Sequence, residues 1–379
     1  MDPLDVVRRR LVNSRLAGEA CETVADAVGW LGAVQAQEFA EAKWSLAERV
    51  RDCTDADVEE AFSRGDIVRT HVLRPTWHFV AREDARWILR LTRPRVHALN
   101  AYWYRRAELD DSVFARAEDV FASALAGGDF RTRAELAAGL AKAGIEAAGP
   151  PLAYLLMHAE LNEVLCNGPR RGRQHTYALF DDRVPVSADD DRPSEVALDE
   201  FAFRYFRSHG PATVRDFTTW SSLPVRDSRA ALARLEDRIE TVVDENGIPW
   251  YMACDAASVP VRPDRLAGAF LLPMYDETIV AYQDLRVVLA HTPARADLIE
   301  RAIVIDGRTV GTWTRILNGD SVVVQANLFG VLTQNETEAL HDVVDRFGRF
   351  LRADARLEPS LAQSRSGEGP DDAQSGRGE

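Results

Sequence analysis

Lysine is nearly missing from this 379-residue chain: only Lys43 and Lys142 stand among its 46 basic residues. Positive charge is therefore carried by arginine, whose planar donor fork suits carboxylates and phosphates. Cysteine is scarce too. Cys21, Cys53, Cys166 and Cys254 are scattered without CxxC spacing, so neither a disulfide framework nor a zinc site is suggested. The eight histidines (71, 78, 97, 158, 175, 209, 291 and 341) form no HExxH, HxH or His-Cys pair, and no metal or other cofactor is expected. A phosphate-cradling glycine loop and a GxSxG turn are both lacking. No run of 18 apolar residues occurs, and MDPLDVVRRRL lacks the charged-then-apolar order of a secretory signal, so a cytoplasmic protein without membrane association is expected.

What is present suits a soluble protein of about two to four units, with 46% hydrophobic and 28% charged residues. The net charge of −14 opposes binding to a polyanion unless positive charge is gathered locally. Residues 64–106 hold ten arginines against three acids, a balance of +7, and Arg170, Arg171 and Arg173 cluster in the turn-like NGPRRGRQH. An arginine-heavy chain shows clusters by composition alone, but this gathering is read as a basic surface.

Periodicity predicts a first block, residues 1–110, with helices near 4–15, from Thr23 to Gln35, and after Thr54 as far as Gly65. IVRTHVLRPTWHFVA then reads as two short strands about Pro75. Helices followed by a hairpin make a winged-helix pattern. It recurs over 111–190, where Thr132 caps a helix and VLCN and HTYALF are strands, and over 191–266, where ENG marks a hairpin turn. FRTRAELAAGL and ATVRDFTTW lie roughly 80 residues apart, as in a duplication. From 267 to 352 the chain turns to β-type segments, including LRVVLAH, with turns at Asp306-Gly307 and Asn318-Gly319, and a closing helix. The expected class is α+β: three tandem winged-helix units plus a C-terminal β-barrel-like domain. Residues 353–379 are too polar to repay ordering entropy and are read as a disordered tail.

WLGAVQAQEF carries Gln35 and Gln37 two positions apart. In a helix they diverge by about 200°, whereas an extended backbone places them on one face. Read from the residues alone, they are amides at a helix end satisfying loose carbonyls. In LRPTWHFV, Trp77 alternates with His78, so one faces a core and the other a groove; Arg74, beside Pro75 in a turn, is read as a phosphate ligand. Asp276 and Glu277 fall between apolar segments and are placed at a barrel rim, either pairing with arginines or contacting a reacting group. Tyr275 is a candidate stacking residue. Lys43, in AEAKWSLAERV, is read as a solvated helix residue.

Across about residues 5–352 the chain resembles the AlkZ-like DNA glycosylases, a winged-helix group. The resemblance is carried by VQAQ at 34–37, LRPTWHFV at 73–80 and LLPMYDETIVAYQDLR at 271–286. It implies a C-shaped clamp on double-stranded DNA containing alkylated purines, with Gln35 and Gln37 as the catalytic pair. His78, Trp77, Asp276, Glu277 and Tyr275 become candidate contacts to lesion or transition state, and Arg69, Arg74, Arg170, Arg171 and Arg173 candidate contacts to the DNA backbone. A purine alkylated at N7 is cationic and leaves readily, so an enzyme needs mainly to place water and stabilise positive charge, effects reaching about 7–11 kcal/mol. A monofunctional enzyme working as a monomer, without a Schiff base, is expected. The alternatives are a non-catalytic winged-helix transcription regulator and a hydrolase using Asp276 and Glu277 on another substrate.

Overall fold

Five Thr-x-x-Asp/Glu sequences set helix starts in this computed structural model, which describes residues 2–261, 268–283 and 301–361. In each, the threonine hydroxyl accepts from the third helical N–H while the acid accepts from the threonine N–H: Thr23/Asp26, Thr54/Asp57, Thr132/Glu135, Thr213/Asp216 and Thr333/Glu336. Such reciprocal caps satisfy two otherwise orphaned donors.

The first block contains α1 (Pro3–Asn13), α2 (Val24–Leu31), β1 (Val34–Gln35), α3 (Phe39–Ala47), α4 (Asp55–Arg64), the hairpin β2 (Ile67–His71) and β3 (Trp77–Ala81), and the long α5 (Arg82–Arg106). The second has α6 (Asp111–Leu125), β4 (Arg131–Thr132), α7 (Arg133–Lys142), α8 (Gly149–Leu161), β5 (Leu165–Arg171), β6 (Gln174–Leu179) and the short α9 (Phe180–Arg183). The third has α10 (Ser194–Ser208), α11 (Val214–Ser221), α12 (Val225–Arg234), the hairpin β7 (Ile239–Val243) and β8 (Pro249–Ala253), and α13 (Cys254–Ala257). Three-stranded sheets of order β1-β3-β2 and β4-β6-β5 and the two-stranded β7-β8 finish these blocks. No helix among the described residues is long and apolar enough to cross a membrane.

The last block is β9 (Ala269–Leu272), α14 (Glu277–Val280), β10 (Ala302–Ile305), β11 (Arg308–Asn318), β12 (Ser321–Leu328), α15 (Gln334–Leu351) and β13 (Asp354–Leu361). Among the described residues its sheet is open, of order β13-β12-β11-β10-β9, and does not close into the expected barrel. Leu340, Val343, Val344, Phe347 and Phe350 line one face of α15 and pack on Trp313, Val322 and Val324 of the sheet and on Trp44 of α3. The predicted tail is also corrected: residues 354–361 pair in parallel with β12, Ser321 opposite Asp354. A parallel return needs a crossover, which α15 provides. Gly348 permits the close approach, since a Cβ there would lie 2.7 Å from that of Ala355. The remaining tail, 362–379, and the strand expected at LRVVLAH lie outside the described residues.

Asp276 and Glu277 sit in the interior, not at a rim. Tyr275 takes a left-handed φ of 65°, and Asp276 then caps α14 by accepting from Thr278 N. Its carboxylate is bidentate to the Arg49 guanidinium, both contacts at 2.9 Å, and accepts from Ser45 Oγ at 2.7 Å. Both members of the pair are fully enclosed. Burial pushes the Asp276 carboxyl up, but the Arg49 charge and hydrogen bonds from Arg49, Thr278 and Ser45 outweigh it and hold the group below its ordinary value.

Neighbouring Glu48 behaves oppositely. Burial pushes it up to about 8, against the Arg346 charge that opposes the shift; its Oε1 accepts from Leu271 N and Arg346, while Oε2 has no partner among the described residues. A carboxyl raised in the folded state favours folding at low pH, and the benefit disappears as pH climbs from the unfolded value through the folded one. Glu48 should thus cost roughly 1 kcal/mol of stability per pH unit between about 4.5 and 8. Glu48→Gln should flatten that slope in urea denaturation, and an unchanged slope would remove the assignment.

Candidate active site

Gly32, with φ of 81°, ends α2 at Leu31 and turns the chain into β1. The helix expected to reach Gln35 therefore stops earlier, and Gln35 lies on a strand with Gln37 in the bend that follows. β1 runs antiparallel to β3, with Val34 opposite Phe79 and Gln35 opposite His78, and Ala36 N donates to Trp77 O at 2.7 Å. On the other side of β3, Thr70 of β2 is also opposite His78. Directly paired residues project to the same side of a sheet, so Gln35, His78 and Thr70 form one row. Gln37 and Thr76 lie in bends just beyond these strand ends, with Gln37 Oε1 near Trp77 N.

The Gln35 side-chain oxygen accepts from Arg74 Nη2 at 2.7 Å. A guanidinium has only donors, so chemistry fixes the amide orientation and turns Nε2 away from Arg74. The same Nη2 lies 3.3 Å from His78 Nε2, and His78 Nδ1 lies 2.9 Å from Thr76 O. A carbonyl only accepts, so Nδ1 carries the proton and Nε2 receives from Arg74. Burial first, then the Arg74 charge, hold His78 well below its ordinary pKa, which keeps it neutral and unable to serve as an acid at pH 7. The Arg74 guanidinium is itself lowered by burial, opposed by the Glu277 charge. Gln35 N donates to Glu277 Oε1 at 2.7 Å, Trp220 Nε1 donates to Glu277 Oε2 at 2.9 Å, and Arg74 Nη1 donates to Trp220 O at 2.8 Å. Gln37 is less confined. It is half-buried, and its Oε1 accepts from Trp77 N at 3.5 Å, the outer limit for such a bond.

The remaining candidates divide. Arg69 is no phosphate ligand: it is buried, donates to Ala36 O at 2.9 Å and to Asn167, and stacks over Trp77. Burial lowers its pKa to about 10. Arg74 likewise spends its donors on Gln35, His78 and Trp220. Trp77 packs beside His71 and donates to Glu160 Oε1 at 3.2 Å, within a buried network where His71 also meets Glu160. His78, Asp276 and Glu277 are fully buried, so none of them can touch a lesion, and the two carboxylates cannot form the catalytic pair of another hydrolase. Tyr275 is half-buried beside them.

Arg170 is bidentate to Glu59 at 2.7 and 2.5 Å, Arg171 donates to Glu135, and Arg173 is exposed at the β5-β6 turn. Part of the run from Arg64 to Arg106 is neutralised from elsewhere in the chain: Arg86, Arg90 and Arg93 all converge on Glu163, while Arg64 and Arg82 pair with Asp66 inside the run. Lys43 is not solvated but buried, 2.7 Å from Asp55 and 3.0 Å from Glu59.

Sequence reasoning missed Arg49, Glu160 and Trp220, whose partners lie tens to hundreds of positions away. It also missed Thr70 and Thr76, whose hydroxyls are enclosed without a partner among the described residues. The hairpin alternation was the one signal that could have placed Thr70 in the row of His78 and Gln35.

The family model "DNA glycosylase AlkZ-like" matches residues 28–350. An "Interstrand DNA cross-link repair glycosylase" from Streptomyces sahachiroi is 26% identical over 318 residues, covering 77% of this chain and 82% of its own length. The solved structure of Streptomyces sahachiroi DNA glycosylase AlkZ superposes with a TM-score of 0.74 at 22% identity, over 94% of this chain and 99% of that one. At that identity the superposition establishes the fold, an α+β one. With the family model spanning the glutamine strand, the RPTWH hairpin and the last sheet, the chain belongs to the AlkZ-like DNA glycosylases.

Proposed function

We propose that this protein is a monofunctional DNA glycosylase that hydrolyses the N-glycosidic bond of N7-alkylated, cationic purines in duplex DNA, crosslinked bases included. Gln35 and Gln37 act on the attacking water. The observation that carries the reading is the chemistry around the glutamine face: His78 is held neutral and Glu277 is enclosed and engaged. A site built on amides, with no strong acid aimed into it, suits a leaving group that already bears positive charge. The relative's name, a crosslink repair glycosylase, supports extending the substrate to bulky lesions. Three winged-helix units (1–110, 111–190 and 191–266) and the C-terminal domain (267–352) form the clamp, with Arg170, Arg171 and Arg173 toward the DNA backbone and Tyr275 toward the lesion. The enzyme works in the cytoplasm as a monomer.

The test is release of free base from duplex containing 7-methylguanine and, separately, a bulky N7 adduct. Wild type should release base and leave an abasic site; binding to intact operator-like DNA with no release from either substrate would favour a regulator. A bifunctional mechanism would require a free amine. With Lys43 locked between Asp55 and Glu59, borohydride should trap no covalent protein–DNA adduct, and a trapped adduct lost in Lys43→Ala would overturn the monofunctional assignment.

A further inference from the structure

Gln35, Arg74, Trp220 and Glu277 close a ring of four hydrogen bonds. Gln35 N donates to Glu277 Oε1, Trp220 Nε1 to Glu277 Oε2, Arg74 Nη1 to Trp220 O, and Arg74 Nη2 to Gln35 Oε1. The four members come from β1, the β2-β3 turn, α11 and α14. The ring grips Gln35 twice, at its main-chain N–H and at its amide oxygen, fixing both where the residue sits and which way its amide faces. Trp220 and Glu277 are fully buried, so neither can reach DNA. One guanidinium and one carboxylate leave the ring formally neutral, which keeps a net positive charge from opposing a cationic base. Hydrogen bonds to ionised groups are the strong ones, and a buried partner left unsatisfied is costly.

We infer that Arg74, Trp220 and Glu277 are positioning residues that hold the Gln35 amide with Nε2 toward the reacting centre, without touching substrate themselves. Gln35 then acts as a donor to water while Gln37, whose oxygen is only loosely held, acts as the acceptor. One donor and one acceptor together orient a water's remaining lone pair. This inference rests on the glycosylase reading above.

The experiment is a double-mutant cycle on the full chain, measuring single-turnover release of 7-methylguanine and the affinity for lesion-bearing duplex. Arg74→Gln, Trp220→Phe and Glu277→Gln are made in wild type and in Gln35→Ala. Each single change should slow release roughly tenfold to a hundredfold with affinity within about twofold, and should cause no further loss once Gln35 is alanine, because neighbours acting through one residue are not additive. A merely structural role would slow both backgrounds equally and overturn the inference, as would singles that leave the rate unchanged. Trp220→Phe, which removes the N–H donor and keeps an uncharged aromatic ring, decides the case if the charged variants fail to fold. If the double variants fall below detection, the side-chain amide resonance of Gln35, assigned by its loss in Gln35→Ala, decides instead. A shift with faster hydrogen exchange in Trp220→Phe supports the ring, and an unmoved resonance overturns it. No release by wild type would refute the glycosylase reading, whereas release with additive penalties refutes only the ring.

Discussion

Gln37→Ala will release 7-methylguanine from duplex DNA about 10²–10³-fold more slowly than wild type, the usual consequence of removing one preorganised polar group aimed at a reaction centre. Gln37 is the less enclosed of the two glutamines, and among the described residues the only bond to its side-chain oxygen is the 3.5 Å contact from Trp77 N. Little folding energy rides on that contact, so the melting transition should shift by an amount worth less than about 1 kcal/mol. The loss should appear in the chemical step under single-turnover conditions, with affinity for the damaged duplex retained. A variant that releases base at the wild-type rate would remove Gln37 from the mechanism.

Asp276→Asn will instead lose stability, by about 3–5 kcal/mol, the range for stranding one member of a buried ion pair. Arg49 has no route to water: it is fully enclosed, with its other donors on Ser14 O and Ser45 O. Urea denaturation measures the change, and pH supplies a second signature. A carboxylate whose folded pKa is depressed contributes stability above its ordinary value, and that contribution disappears as pH falls through the folded value. Wild type should lose the increment in acid, while Asp276→Asn should lack it throughout. Base release per folded molecule should remain close to wild type. Unchanged stability with a collapse in release would return Asp276 to the chemistry.

Local rules carried the fold a long way. The helix starts at Thr23, Thr54 and Thr132, the ENG and Asp306-Gly307 turns and the two-residue alternation in WHFV each depend on neighbours within a few positions, and all form where expected. The sequence reading failed where a partner is remote. Arg86, Arg90 and Arg93, three of the ten arginines between 64 and 106, read as part of a basic surface because the acids that neutralise them, Glu163, Asp181 and Asp191, lie far along the chain. Asp276 and Glu277 looked like rim carboxylates because Arg49 and Trp220 are 227 and 57 positions away. The segment after Ala353 looked too polar to order, yet a strand needs only one half-buried row: Ala355 and Leu357 pack on the last core while its backbone pairs with β12. The glutamine pair was read from the residues alone as amides at a helix end, and neither the strand that carries Gln35 nor the ring that holds it was legible, since both rest on remote partners.

That ring has a consequence for how the enzyme is made. Its members are spread from position 35 to position 277, so a nascent chain that has released only its first block carries both glutamines with one of them unmoored. On the inference drawn above, competence arrives late in translation, once α14 has emerged from the ribosome, and an excised amino-terminal fragment is expected to be inert even if it folds.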